Sequence, residues 1–190
     1  DAAIAAAAVC AATLMDQTSA AGDLFALVYD ARTRTVSAYN GSGIAPRSID
    51  PERFAGGYPD HGAVIATVPG VIAGWADVLE GHGRLGLDRA LAPAIGYASE
   101  GFPLSSDVAE AIAASAADLA ADEGCARTFL PRGRPLAAGE ILQLPDLADT
   151  LRAVARDGAG AFYRGPLAER IAAGIRALGG EITAEDLAAH

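Results

Sequence analysis

Two short glycine-containing stretches offer the best setting for chemistry in this chain. Ser19-Ala20-Ala21-Gly22 and Asn40-Gly41-Ser42-Gly43 stand at the two mouths of a pair of strand-like runs and could face a common pocket. Small residues there let backbone approach a ligand closely or take positive φ. Other chemistry-bearing residues are weaker candidates. Gly41-Ser42-Gly43 lacks the outer spacing of a nucleophile elbow, which counts against Ser42 as a hydrolase serine. Gly81-His82-Gly83-Arg84-Leu85-Gly86 spells G-x-G-x-x-G but follows a helix pattern, whereas a pyrophosphate site needs a strand-to-helix turn that aims amides at the phosphates. A helix C-cap explains those glycines. His61, His82 and His190 have no ligand-spaced partners, and Cys10 and Cys125 fit no Cys-x-x-Cys pattern, so neither a metal site nor a disulfide framework is implied.

The elements that must position these loops can be read from periodicity. Leu24 to Tyr29 (LFALVY) is apolar nearly throughout, as a strand buried on both faces would be, and Asp30 to Arg34 reads as the turn into a second strand from Thr35 to Tyr39. Ala63 to Val68 is a third strand candidate. Asp50-Pro51-Glu52 has the N-cap, first-turn proline and acidic residue of a short helix. Apolar spacing predicts helices from Gly70 to a stop at Gly81, from Asp88 to Ser99 with Pro93 within the first turn, and from a Ser105 or Ser106 cap to about Ala121. Gly124 to Gln143 reads as a long connection with few periodic contacts. Leu147, Leu151 and Val154 define one later helix, and Leu167, Ile171, Ile175 and Leu178 another. Ala2 to Met15 reads as a buried helix, too short and weakly hydrophobic to cross a bilayer and without the positive region of a signal peptide. Thr183 to Asp186 resembles a capping box near the chain end, and two strands alone make only a marginal sheet. The expectation is therefore one domain portion over residues 1–190, truncated at both ends, with further strands supplied from elsewhere.

With 190 residues and 52% hydrophobic content, the chain can bury a core. Its net charge of -10, with arginine as its sole basic residue besides histidine, argues against nucleic-acid or anionic-membrane partners, either of which needs a basic patch. The lack of paired cysteines leans toward the cytoplasm.

The order of motifs resembles the γ-glutamyltranspeptidase family. Phe25-Ala26-Leu27-Val28-Tyr29-Asp30 and Ala45-Pro46 are similar to the family's Phe-x-Leu-Val-Tyr-Asp strand and the Ala-Pro after it. Val68-Pro69-Gly70 through Gly74, Gly83-Arg84-Leu85, Leu91 to Ile95, Gln143 to Leu147, Phe162 to Gly165 and Thr183 to Leu187 then follow in the family's order. The resemblance covers almost the whole chain. It implies a mixed α/β (α+β) fold, part of the αββα sandwich of N-terminal-nucleophile hydrolases, in a large-subunit portion whose second half is mostly helical. It implies a precursor that cuts itself so that a threonine becomes the N-terminus of a small subunit and attacks an amide carbonyl, with its own α-amino group as base. That threonine lies outside this chain, which would supply pocket walls but no catalytic residue. The implied partners are the small subunit and a small amide or peptide-like substrate, and no metal or organic cofactor is implied.

By the same resemblance Asn40, Ser42, Gly43 and Ile44 line the substrate end of the pocket, with Thr18 to Asp23 beside them. Family members that take γ-glutamyl substrates place an arginine four or two residues ahead of the Ala-Pro proline, where its fork holds the α-carboxylate. Here those positions are Ser42 and Ile44, and Arg47 would substitute only if the loop re-aims it. Ser19 and Ala21 also stand where the family shows glycines. The expected substrate is therefore a non-standard amide. The alternatives are true γ-glutamyl chemistry through another arginine, or a non-catalytic scaffold.

Overall fold

The computed structural model describes residues 1–190. In chain order the elements are α1 (Ala2–Thr13), β1 (Leu24–Asp30), β2 (Thr35–Gly41), α2 (Val71–His82), α3 (Leu87–Glu100), β3 (Phe102–Pro103), α4 (Ser106–Ala114), α5 (Ala116–Ala121), α6 (Glu123–Phe129), β4 (Ile141–Leu142), α7 (Pro145–Asp157), α8 (Gly160–Tyr163), α9 (Pro166–Ala177) and α10 (Ala184–Ala188). They form two compact units, residues 1–20 with 88–155, and residues 21–87 with 156–190.

The first unit is helical. Phe102, Leu104, Val108, Leu130 and Leu142 are buried together, and the short antiparallel β3–β4 ribbon pairs Phe102 with Leu142. Gly101 makes the ribbon possible. It has φ +91, and a Cβ there would lie 3.0 Å from the Leu142 carbonyl oxygen, too close for an unstrained side chain. Ser105 caps α4 by accepting from Val108 N–H (3.3 Å), but the alanine-rich helix expected to continue to Ala121 breaks at Ser115 into α4 and α5. Pro93 lies in the middle of α3 and not in its first turn; it is exposed, so the missing N–H is on the solvent side. The stretch from Gly124 to Gln143 is more ordered than its composition suggests. It opens in α6, capped by Asp122 accepting from Cys125 N–H at 2.7 Å, and ends in β4. Between them Arg134 pairs bidentately with Glu140, both bonds at 2.7 Å, and Glu140 also accepts from Ala137 N–H. The Arg134 guanidinium and that amide bring the Glu140 carboxyl down to about 2. Such local staples are aperiodic, so hydrophobic spacing does not reveal them.

In the second unit β1 and β2 form the expected hairpin, in register from Leu24 opposite Gly41 to Asp30 opposite Thr35. Helix α2 lies against one face. Gly74 and Gly81 make its close approach possible: a Cβ on Gly74 would press on the Leu24 side chain at 2.8 Å, and one on Gly81 would collide with the Tyr39 hydroxyl. The other face is open. Phe25, Leu27, Tyr29 and Val36 are 71%, 78%, 62% and 62% exposed, which corrects the expectation of a strand buried on both faces. Its apolar run is real, but nothing in this chain covers half of it. Ala63 to Val68 is likewise no strand. It forms a 3-10 turn at Ala63–Ile65 and then extended chain, joined to the Ser42–Pro46 loop by the Val68 N–H to Ile44 carbonyl bond at 2.9 Å. Asp50 caps the predicted short helix as a 3-10 turn, and α9 runs to Ala177, with Leu178 as C-cap and Gly179 at φ +85 just beyond. Cys10 and Cys125 are free, partly buried thiols, and no helix is long and apolar enough to cross a membrane.

Candidate substrate-binding site

The turn Val68-Pro69-Gly70 at the start of α2 is a common abutment for the candidate loops. Gly70 and Val71 both donate to the Gly22 carbonyl, at 3.0 and 2.9 Å, and Val68 donates to the Ile44 carbonyl. The contacts leave no room for side chains. A Cβ on Gly43 would collide with the Val68 carbonyl oxygen, and one on Gly70 with the Gly41 carbonyl oxygen. The loop's own polar groups tighten it further: Asn40 Oδ1 accepts from Ser42 N–H at 3.0 Å, and Asp23 Oδ1 accepts from Gly43 N–H at 2.9 Å. Asn40, Ser42, Gly43 and Ile44 thus form one strip at the end of β2, beside Gly22 and Asp23. Thr18, Ser19 and Ala20 belong to the first unit.

Arg47 is held differently. Buried Pro46 separates it from the strip, and its backbone N–H donates to Asp186 Oδ1 at 3.2 Å. Asp186 is 2% exposed and completes the capping box of α10, where Thr183 N–H and Oγ1–H donate to its Oδ2 at 3.0 and 2.9 Å and its own N–H donates to Thr183 Oγ1. Burial alone would raise this carboxyl. The hydrogen bonds from Thr183 and Arg47 outweigh it and hold the group below its ordinary value. Ser48 and Arg53 reach Glu181, so the segment after the loop is fastened to the approach to α10.

This arrangement has clear chemical limits. The Ser42 and Gly43 amides are committed to the Asn40 and Asp23 side chains, so they make no oxyanion cradle. What the strip presents outward is the Asn40 side chain, the Ser42 hydroxyl and the Ile44 side chain, which is 44% exposed, with the Asp23 carboxylate beside them. The G-x-G-x-x-G stretch is the C-terminal end of α2, with Gly83 as C-cap. A cleft of about 650 Å³ between Asp30–Arg32 and His82–Arg84 lies at the turn end of the hairpin, away from the strip.

Two further contributors are only partly marked in the sequence. Asp23 stands beside the expected pocket, and an aspartate next to a glycine-rich loop is a natural acceptor for its amides. Tyr163 lies in the Phe162 to Gly165 motif, but nothing in that motif predicts its hydrogen-bond partners. It is buried, donates to the Pro69 carbonyl at 2.8 Å and accepts from Ala73 N–H at 3.1 Å, across the long chain interval between α2 and α8.

Known proteins resemble this one over its full length. The Gamma-glutamyltranspeptidase family model matches residues 1–190. The glutathione hydrolase-like YwrD proenzyme of Bacillus subtilis is 36% identical over 193 residues, and the oxamate amidohydrolase proenzyme of Klebsiella pneumoniae is 39% identical over 198. Both alignments take in 100% of this chain but 37% of the relative, so the chain spans little more than a third of their length. The crystal structure of Helicobacter pylori gamma-glutamyltranspeptidase matches with a TM-score of 0.92 at 28% identity, over 98% of this chain and 55% of that one. The fold is therefore the expected one, part of the N-terminal-nucleophile hydrolase architecture of that enzyme. Matched from end to end, in sequence and in fold, the chain belongs to the gamma-glutamyltranspeptidase family.

Proposed function

We propose that this chain is the large-subunit portion of a self-processing amide hydrolase or acyltransferase whose acyl pocket does not hold a γ-glutamyl α-carboxylate. In this reading a threonine of the small subunit attacks the amide carbonyl. Its α-amino group takes the hydroxyl proton and passes it to the leaving amine, and water or another amine then releases the acyl group. Asn40, Ser42, Gly43 and Ile44 wall the acyl end. The observation that carries the proposal is the charge of that wall. Neither Ser42 nor Ile44 is a cation, the Asp23 carboxylate is fixed on the Gly43 amide, and the Arg47 backbone is tied to the α10 cap across Pro46. A substrate carboxylate there would meet a like charge without a fork to receive it. The amidohydrolase relative, named for oxamate, supports amide chemistry outside the γ-glutamyl class.

The open apolar face of the hairpin supports the two-subunit part. Four large side chains left in water on one sheet face mark a surface meant to be covered, each worth about 1.5–3 kcal/mol on full burial. The test is turnover by the complete protein of neutral acyl amides against a γ-glutamyl anilide. The neutral amides should be preferred at least tenfold in kcat/KM. Efficient γ-glutamyl turnover that survives Arg47→Ala would refute the proposal, and γ-glutamyl turnover lost in Arg47→Ala would favour the second reading, in which Arg47 holds the carboxylate.

A further inference from the structure

We infer that Tyr163 is a positioning residue for substrate binding, acting on the Asn40–Ile44 strip through the Val68-Pro69-Gly70 turn; the inference rests on the proposed role of that strip. Helix α2 begins at Gly70, which has no side chain to cap the first free N–H groups. The Gly22 carbonyl takes the Gly70 and Val71 N–H groups, and the Tyr163 hydroxyl takes that of Ala73 from α8. It accepts from Ala73 N–H at 3.1 Å and gives its one proton to the Pro69 carbonyl at 2.8 Å, so a single oxygen bridges the helix start and the turn before it. The turn in turn seats the strip: the Ile44 carbonyl accepts from Val68 N–H, and Gly43 and Gly41 lie against the Val68 and Gly70 backbone with no space for a Cβ. Any shift of Pro69 must therefore move Gly43 or open a gap beneath it.

The bridge is itself well held. Tyr163 is 4% exposed, Phe162 meets its ring edge-on at 5.1 Å, and the His190 ring lies 5.2 Å away at a tilt of 37°. Burial, with Ala73 N–H opposing, pushes the phenol up to about 12, so it remains a donor at any physiological pH. Tyr163→Phe keeps the ring packing and deletes only the bridging oxygen.

The test uses Tyr163→Phe in the complete protein beside Leu167→Val, a change on the buried side of α9. With an amide that the wild type turns over, Tyr163→Phe should raise KM at least tenfold with kcat within threefold, while Leu167→Val leaves both within twofold. Amide hydrogen exchange of residues 41–47 should quicken at least fivefold in Tyr163→Phe alone. A KM unmoved by Tyr163→Phe overturns the inference, and so does faster exchange confined to α8 and the start of α2. If the wild type turns over no amide, the proposed function fails, and the exchange result still decides whether Tyr163 positions the strip.

Discussion

At the scale of single residues the site depends on atoms that are absent as much as on those present. Gly43 has no Cβ because the Val68 carbonyl occupies that space. Gly43→Ala should cost about 1–3 kcal/mol, read as a lowered unfolding midpoint, together with a higher KM. Asp186 gives a prediction in pH. Its folded-state value lies below the ordinary carboxylate value of about 3.9, so the charged form stabilises the fold above that pH. The contribution is lost as pH falls through the folded value. Asp186→Asn should therefore be less stable than wild type at pH 7, with the gap in thermal midpoint narrowing below about pH 4. A gap that widens on acidification would contradict this. The Thr183 to Asp186 cap was legible because donor and acceptor sit within one turn. The Arg47 tether and the Tyr163 bridge were not, since their partners are far apart in sequence and no spacing rule links them.

At the scale of elements, periodicity found α7 and α9, and the hairpin was readable from its turn and flanking strands. It failed where something other than burial sets the conformation. Ala63 to Val68 has strand-like residues but no neighbour to exchange a ladder with, and the segment around Arg134 combines a surface ion pair with two buried leucines, Leu130 and Leu136, with no helical or strand-like apolar repeat between them. The LFALVY run, read as doubly buried, shows its open face in this chain. That discrepancy is informative, because such residues suit a strand whose second layer comes from elsewhere. Leu27→Glu in the complete protein should reduce the yield of stable two-subunit enzyme at least severalfold, as judged by co-elution of the fragments in gel filtration. Ser105→Ala is a useful contrast, since removing an N-cap should cost about 1 kcal/mol of stability without changing assembly.

At the scale of the whole molecule, the chain spans a little more than a third of the YwrD and oxamate amidohydrolase relatives and carries an uncovered apolar sheet face. Both observations support the proposal of a wall-bearing portion that works with another subunit. The family was legible in the order of its motifs, whereas the proposed acyl specificity rests on a few residues whose surroundings only the fold reveals. The most direct test is intact-mass analysis of the complete protein under denaturing conditions, with N-terminal sequencing of any fragment. Two polypeptides should appear, their masses summing to the precursor, with threonine first in the smaller. A single unprocessed polypeptide in a preparation that hydrolyses amides would contradict the account.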